Sequence, residues 1–186
     1  YVEELSGAKT VAFVQKPLSG HAVMVALAAG ELVMSRKATL GDIGRDEKSI
    51  DAAMMTQYSE LARRRNAAYG AVVLGMLDKK FRVWKVVTAR DTRYVLDEDL
   101  KKVEGEEQIK SKEILIESGQ LGNFTGDQLR QIGLAKVTAE GLTEVADLYG
   151  LPPRVLVGKF RPAENWKPVR IRIEDFVSPL LKEYVC

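Results

Sequence analysis

Thr10-Val-Ala-Phe-Val-Gln15, Pro17-Leu-Ser-Gly20, His21 to Ala29 and Glu31-Leu-Val-Met-Ser35 follow one another and decide the fold. The first run is apolar and β-branched throughout, as expected of a strand buried on both faces. Pro17 and Gly20 break it. His21 to Ala29 is alanine-rich and reads as a short, tightly packed helix, and Glu31 to Ser35 as a second strand. Alternation of strand and helix argues for an α/β domain.

Ala38 to Gly44 holds two glycines and reads as a strand end and turn. From Lys48 to Arg65 the residues Ile50, Ala53, Met54, Tyr58, Leu61 and Ala62 recur at helical spacing. Ala67 to Met76 continues as a second helix. Phe81 to Thr88 alternates as a strand, with Phe81, Val83 and Lys85 on one face and Arg82, Trp84 and Val86 on the other. Arg93 to Leu96 is its hairpin partner, Asp97 to Gly105 an acidic helix, and Lys112 to Glu117 another strand. Residues 81–117 thus form a small β-rich insertion. Thr125 or Asp127 caps a helix over Gln128 to Ile132. A short strand follows at Gly133 to Thr138, then a helix from Thr143 to Tyr149 ended by Gly150. Pro152-Pro153 closes the compact part, so residues 1–155 form the domain and 156–186 a C-terminal extension. In that extension Pro168 to Ile173 reads as an amphipathic strand, and a final helical turn follows.

Composition fits a folded, water-soluble domain: of 186 residues, 46% are hydrophobic and 29% charged. Twenty-eight basic against 26 acidic residues leave a net charge of +2, too even for the one-sided basic field of a nucleic-acid binder. The one dense basic cluster, Arg63-Arg64-Arg65, ends a helix, where cations are favoured. Cys186 is the single cysteine, which excludes an internal disulfide and a cysteine-built zinc site. No stretch approaches the ~20 apolar residues of a membrane span. The first residues do not read as a signal peptide, and the opening on Tyr1 rather than Met reads as an excised or processed piece.

Chemistry centres on Leu18-Ser-Gly-His-Ala22. A buried strand there turns into a helix whose first N–H groups favour developing negative charge. Ser19 could be a nucleophile beside an oxyanion hole, or simply an N-cap. Lys48 could serve as its base if it were kept dry, because a solvated lysine is a poor base; otherwise it is a surface residue. His21, the only histidine, is too close in sequence to Ser19 for a Ser–His–Asp arrangement, and a lone His does not make a metal site. It could lend a donor beside the oxyanion pocket or merely pack. Gly41-Asp-Ile-Gly44 lacks the Lys-Ser/Thr of a phosphate loop, so no cofactor is expected.

The segment Thr10 to Gly44 resembles the ClpP/crotonase-like proteases, in particular the NfeD-type (nodulation efficiency) proteins and the signal peptide peptidase A family. The matching elements are Lys9-Thr-Val-Ala-Phe-Val, Leu18-Ser-Gly, Val25-Ala-Leu-Ala-Ala-Gly-Glu-Leu-Val-Met34 and Ala38-Thr-Leu-Gly41. Gln128-Leu-Arg-Gln-Ile-Gly-Leu-Ala is similar to the family's helix-to-strand ending, so the likeness runs from about Lys9 to Tyr149. It implies a layered ClpP/crotonase-like α/β fold and a Ser–Lys endopeptidase acting on membrane-associated polypeptides. In that assignment Ser19 attacks, Lys48 accepts and returns its proton, and Gly20 and His21 line the oxyanion or substrate pocket. It also implies homo-oligomers, membrane attachment through segments outside this chain, and an extracytoplasmic location for the soluble domain.

Two departures from the family pattern qualify those expectations. Counting back from Glu31 places Gly20, not Ser19, on the nucleophile position. Either the turn holds one extra residue and Ser19 still attacks, or the domain is an inactive scaffold that binds peptide or partner proteins. The family's N-terminal βαβ portion, which supplies an oxyanion amide, has no counterpart here, and strands left unpaired by its absence would seek partners. A crotonase-type acyl-CoA enzyme shares the fold but finds no adenine-nucleotide pocket in the sequence.

Overall fold

The computed structural model describes residues 9–152 and residue 156. The chain divides into a unit Tyr1–Leu156 and a unit Val157–Cys186; the strand expected at Pro168 to Ile173 and the final helical turn lie outside the described residues. The first unit is mixed α/β. In chain order its elements are β1 (Val11–Val14), β2 (Leu18–Ser19), α1 (Ala22–Ala28), β3 (Glu31–Met34), β4 (Thr39–Gly41), α2 (Ala52–Arg65) and α3 (Tyr69–Leu77). Then come β5 (Val83–Thr88), β6 (Thr92–Leu96), α4 (Asp97–Glu106), β7 (Ile109–Ile116), β8 (Asn123–Thr125), α5 (Gly126–Ile132), β9 (Val137–Thr138) and α6 (Leu142–Leu148).

The strands form three small sheets, ordered β1-β3-β9, β2-β4-β8 and β6-β5-β7. The first is parallel, with Val11 opposite Glu31, Val14 opposite Met34 and Val33 opposite Val137. In the second, β2 runs parallel to β4 and β8 antiparallel to it. The chain therefore deals one strand to the first sheet, one to the second, then a helix. It does so twice (β1, β2, α1; β3, β4, α2–α3) and closes with β8, α5 and β9.

Burial corrects the reading of β1, which is not covered on both faces. Val11, Ala12 and Phe13 are half-buried and only Val14 is fully inside, because β1 pairs with β3 alone among the described strands. The central strand β3 is the one covered on both faces, with Leu32, Val33 and Met34 at 1% exposure or less. Leu27, Leu40, Ile43, Tyr58, Met76, Leu77 and Leu129 join Leu32 and Met34 in the main core. Each such side chain contributes about 1.5–3 kcal/mol on leaving water.

Several helix boundaries differ from the spacing-based expectation, the start of α2 by the most. Lys48 precedes α2, which starts at Ala52; Asp51 is its N-cap and accepts from the Met54 amide at 2.7 Å. A carboxylate that satisfies an orphan amide sets the start better than the charged run before it. At α5, Thr125 and Gln128 form a reciprocal capping box and Gly133 ends the helix with φ 92°, so the strand expected from Gly133 shrinks to Val137–Thr138. The basic run at the end of α2 also divides: Arg63 and Arg64 are exposed, whereas Arg65 is half-buried and makes contacts described below.

The insertion is the third sheet with α4 across one face. Val86, Leu100 and Val103 form a small core of their own, backed by Trp84, Val95 and Ile109. Val83, Tyr94, Leu96 and Ile116 point the other way and belong to the main core. The strand expected at Lys112 to Glu117 begins earlier, at Ile109, and pairs antiparallel with β5.

Candidate functional site

β2 is only two residues long, held by parallel pairing of Leu18 with Leu40 and Ser19 with Gly41. Gly20 follows in the left-handed region, φ 64°, a conformation that glycine adopts without the penalty of a Cβ. The chain then turns into α1, with His21 at the N-cap. Facing this turn is the segment after β4. Its first residue, Asp42, also has positive φ, 46°, which aspartate tolerates better than most residues. Asp42 is fixed on three sides: its amide donates to Gly122 O at 2.9 Å, its carboxylate accepts from Asn123 Nδ2 at 2.7 Å, and its carbonyl accepts from the Gly20 amide at 3.1 Å.

The two segments are clipped together by side chains of matching spacing. Arg45 Nη2 donates to Ser19 Oγ at 3.1 Å. Two residues further along each segment, His21 Nε2 lies 2.7 Å from Glu47 Oε1, and His21 Nδ1 lies 2.8 Å from the Tyr58 hydroxyl. An ionised Glu47 only accepts, so Nε2 carries a proton; in the neutral ring Nδ1 then accepts from Tyr58. Tyr58 is fully buried. Burial, helped by the Glu47 charge, pushes its hydroxyl up to about 12, which keeps it a donor across the physiological range.

Each sequence-derived site residue thus has a definite place. Ser19 is half-buried with its hydroxyl against a guanidinium, and it does not cap α1. The Gly20 amide is engaged by Asp42, and both ring nitrogens of His21 are engaged by Glu47 and Tyr58. Lys48 is exposed and lines a cleft of about 450 Å³ with Asp42, Glu47 and Asp78, a cleft to which Ser19 does not contribute. The structure brings Ser19 to Arg45 and His21 to Glu47 and Tyr58; it does not pair Ser19 with Lys48. Arginine stays protonated in proteins, so Arg45 cannot take the proton of a serine.

Arg45, Glu47 and Tyr58 were not singled out from sequence as site residues. Tyr58 did carry a signal: a tyrosine on an otherwise apolar helical stripe needs a partner for its hydroxyl. Arg45 and Glu47 become visible only when β2 and β4 are known to pair. Among the described residues no group of three His, Cys, Asp or Glu side chains is placed to hold a metal ion, and no helix is long and apolar enough to cross a membrane.

A second polar cluster sits at the start of β3. Glu31 accepts from Lys136 Nζ at 2.7 Å and from the Tyr149 hydroxyl at 2.6 Å, with Lys9 Nζ 3.1 Å away. Lys136 first, then Tyr149, bring its carboxyl down to about 2, against the opposing effect of burial. Its folded value therefore lies below the usual carboxylate range near 4.3. The stability it contributes is present above that range and is lost as pH falls through it towards 2. After allowance for solvent screening this is about 1–2 kcal/mol. Urea unfolding between pH 6 and pH 2 is expected to show that loss in the wild type and a flatter acid limb in Glu31→Gln.

Comparison with protein-family models, with curated proteins and with solved structures finds no match to this chain.

Proposed function

We propose that this chain carries a ClpP-like domain of the NfeD type that holds a polypeptide or partner protein without cutting it. One observation carries the proposal: the hydroxyl of Ser19 faces the guanidinium of Arg45. Nucleophilic catalysis needs a neighbour able to lose and regain a proton, and an oxyanion hole needs free amides. Arg45 is not such a base, and Asp42 already occupies the Gly20 amide. The ClpP-like assignment draws support from the repeated order of first-sheet strand, second-sheet strand and helix, with Ser19 and Gly20 at a strand-to-helix junction. Binding draws support from β1, which has one partner strand among the described residues and so offers backbone groups for strand addition.

A Ser–Lys endopeptidase is the second reading, favoured by Ser19 lying half-exposed at that junction. Lys48 would have to leave the solvent and displace Arg45 before it could act as base. Substrates would then be membrane-associated polypeptides, reached through oligomers anchored by segments outside this chain.

Labelling of the full-length protein with a fluorophosphonate separates the two. A non-cutting domain leaves the folded wild type, Ser19→Ala and Lys48→Ala equally unlabelled. Labelling of the wild type that disappears in both variants would establish a working dyad and overturn the scaffold.

A further inference from the structure

Hydrogen bonds at the two ends of β1 fix which of its main-chain groups are taken. The Glu31 amide donates to Thr10 O at 3.0 Å and the Ser35 amide to Val14 O at 2.9 Å. Along a parallel strand, the groups of successive residues turn alternately to one neighbour and the other. Thr10, Ala12 and Val14 therefore serve β3, and the N–H and C=O of Val11 and Phe13 point the opposite way, where no described strand lies. The devices that usually blunt a sheet edge are absent: β1 reads Val-Ala-Phe-Val, without charge, proline or bulge.

A groove of about 690 Å³ runs beside that edge. Val11 and Phe13 line it from the strand, and Leu148 and Leu151 from the end of α6 and the turn after it. Val11 and Phe13 are half-buried on Val33 and Val145. Leu148 and Leu151 are 49% and 41% exposed, so apolar surface is open here. Among the described residues Lys9 is the one charged member of the lining; Glu31 holds its ammonium at 3.1 Å, and it lies 5.1 Å from the Tyr149 ring centre. The groove thus offers apolar contact and a row of main-chain donors and acceptors, with no charge left over.

We propose that this groove receives an extended polypeptide segment, which joins the first sheet beside β1 and lays alternate, uncharged apolar side chains against Phe13, Leu148 and Leu151. Main-chain bonds to Val11 and Phe13 supply the hold, and the leucines supply the choice of sequence. A second copy of this chain fits less well: its Val11 and Phe13 are already packed with its own α6, and would bring nothing to cover these leucines. The assignment rests on the reading of the domain as one that holds polypeptide without cutting it, and gives that reading a place and a sequence character.

The test titrates isotope-labelled full-length protein with acetyl-Thr-Leu-Thr-Leu-Thr-Leu-Lys-amide and with acetyl-Thr-Thr-Thr-Leu-Leu-Leu-Lys-amide, which keeps the composition and loses the alternation. The expected result is perturbation of the Val11, Phe13, Leu148 and Leu151 amides, with about tenfold weaker binding of the second peptide, because a strand's side chains alternate between faces. Val11→Pro removes an outward N–H and spares the ladder to β3, and Leu148→Asn removes apolar surface that is already half in water. Each is expected to weaken the alternating peptide about fivefold while the protein stays folded. Equal binding of the two peptides, binding unchanged by both variants, or no response at millimolar peptide would each overturn the assignment. Perturbation of the same amides on raising the protein concentration alone would transfer the groove to a second copy. Peptide bound only at other surfaces removes the groove but keeps the peptide-holding reading, whereas fluorophosphonate labelling removes that reading whatever happens at β1.

Discussion

Arg65→Ala is expected to lower the unfolding free energy by about 3 kcal/mol, a large loss for a polar side chain that is only half-buried. The last carbonyls of a helix have no partner within it, and the guanidinium answers two at the end of α1, Ala26 and Ala29, together with Leu134 beyond α5. Three segments distant in sequence are tied by one planar group. Hydrogen bonds from a charged donor are worth about 1.5–3 kcal/mol each, but the guanidinium is only half-buried, so water would take over part of the work in the variant, hence the lower total. Arg65→Lys should recover less than half, since an ammonium is a point charge and cannot span three acceptors as the fork does. Urea denaturation followed by circular dichroism measures both. A loss below about 1 kcal/mol for the alanine variant would mean that water replaces the guanidinium without penalty.

Gly126→Ala should cost about 3 kcal/mol or more, or roughly a 10 °C fall in melting temperature for a unit of this size. Helix propensity alone gives the opposite sign, because alanine is favoured over glycine by about 1 kcal/mol inside a helix. Space decides here. A Cβ on Gly126 would lie 2.2 Å from the Ser35 carbonyl oxygen and 3.1 Å from the Met34 Cβ. Both belong to the chain leaving the central strand, which has no room to retreat, and the Gly126 amide is tied to Ala38 O at 2.9 Å. Gly105, near the end of α4, has nothing within 4 Å of the same position. Gly105→Ala is expected to raise stability by up to about 1 kcal/mol. Thermal unfolding of the pair gives the contrast directly; a neutral Gly126→Ala would show that the β3–β4 connection yields.

Much of the fold is legible in the residues. The strand expected at Glu31 to Ser35, the 3.6-residue periodicity of α2 and a cap at Thr125 each produce the element they announce, because burial and capping act over a few neighbouring residues. What escapes is set at longer range. β2 and β8 are two and three residues long, too short for any period to register; they exist because β4 lies between them. The site suffers from the same blindness. Ser19 is conspicuous in the sequence, but its partner is chosen by the pairing of β2 with β4, which carries Arg45 to it and leaves Lys48 outside. His21 shows this most clearly. As a lone histidine it offers no chemistry by itself, and only the folded chain supplies the carboxylate and the hydroxyl on either side.

The strand-rich insertion begins and ends almost at one point: the Gly119 amide donates to the Lys79 carbonyl at 2.6 Å, and the Gly122 amide to Gly75 O at 2.9 Å. By chain path it is therefore excisable, since a short turn could join residues 79 and 119 at little entropic cost. By packing it is not, because Val83, Tyr94, Leu96 and Ile116 belong to the main core, and a side chain on Gly75 would strike Val83 and Ile116. Cutting the segment out would leave α3 with a wet apolar flank. What looks in outline like a detachable module is a wall of the house.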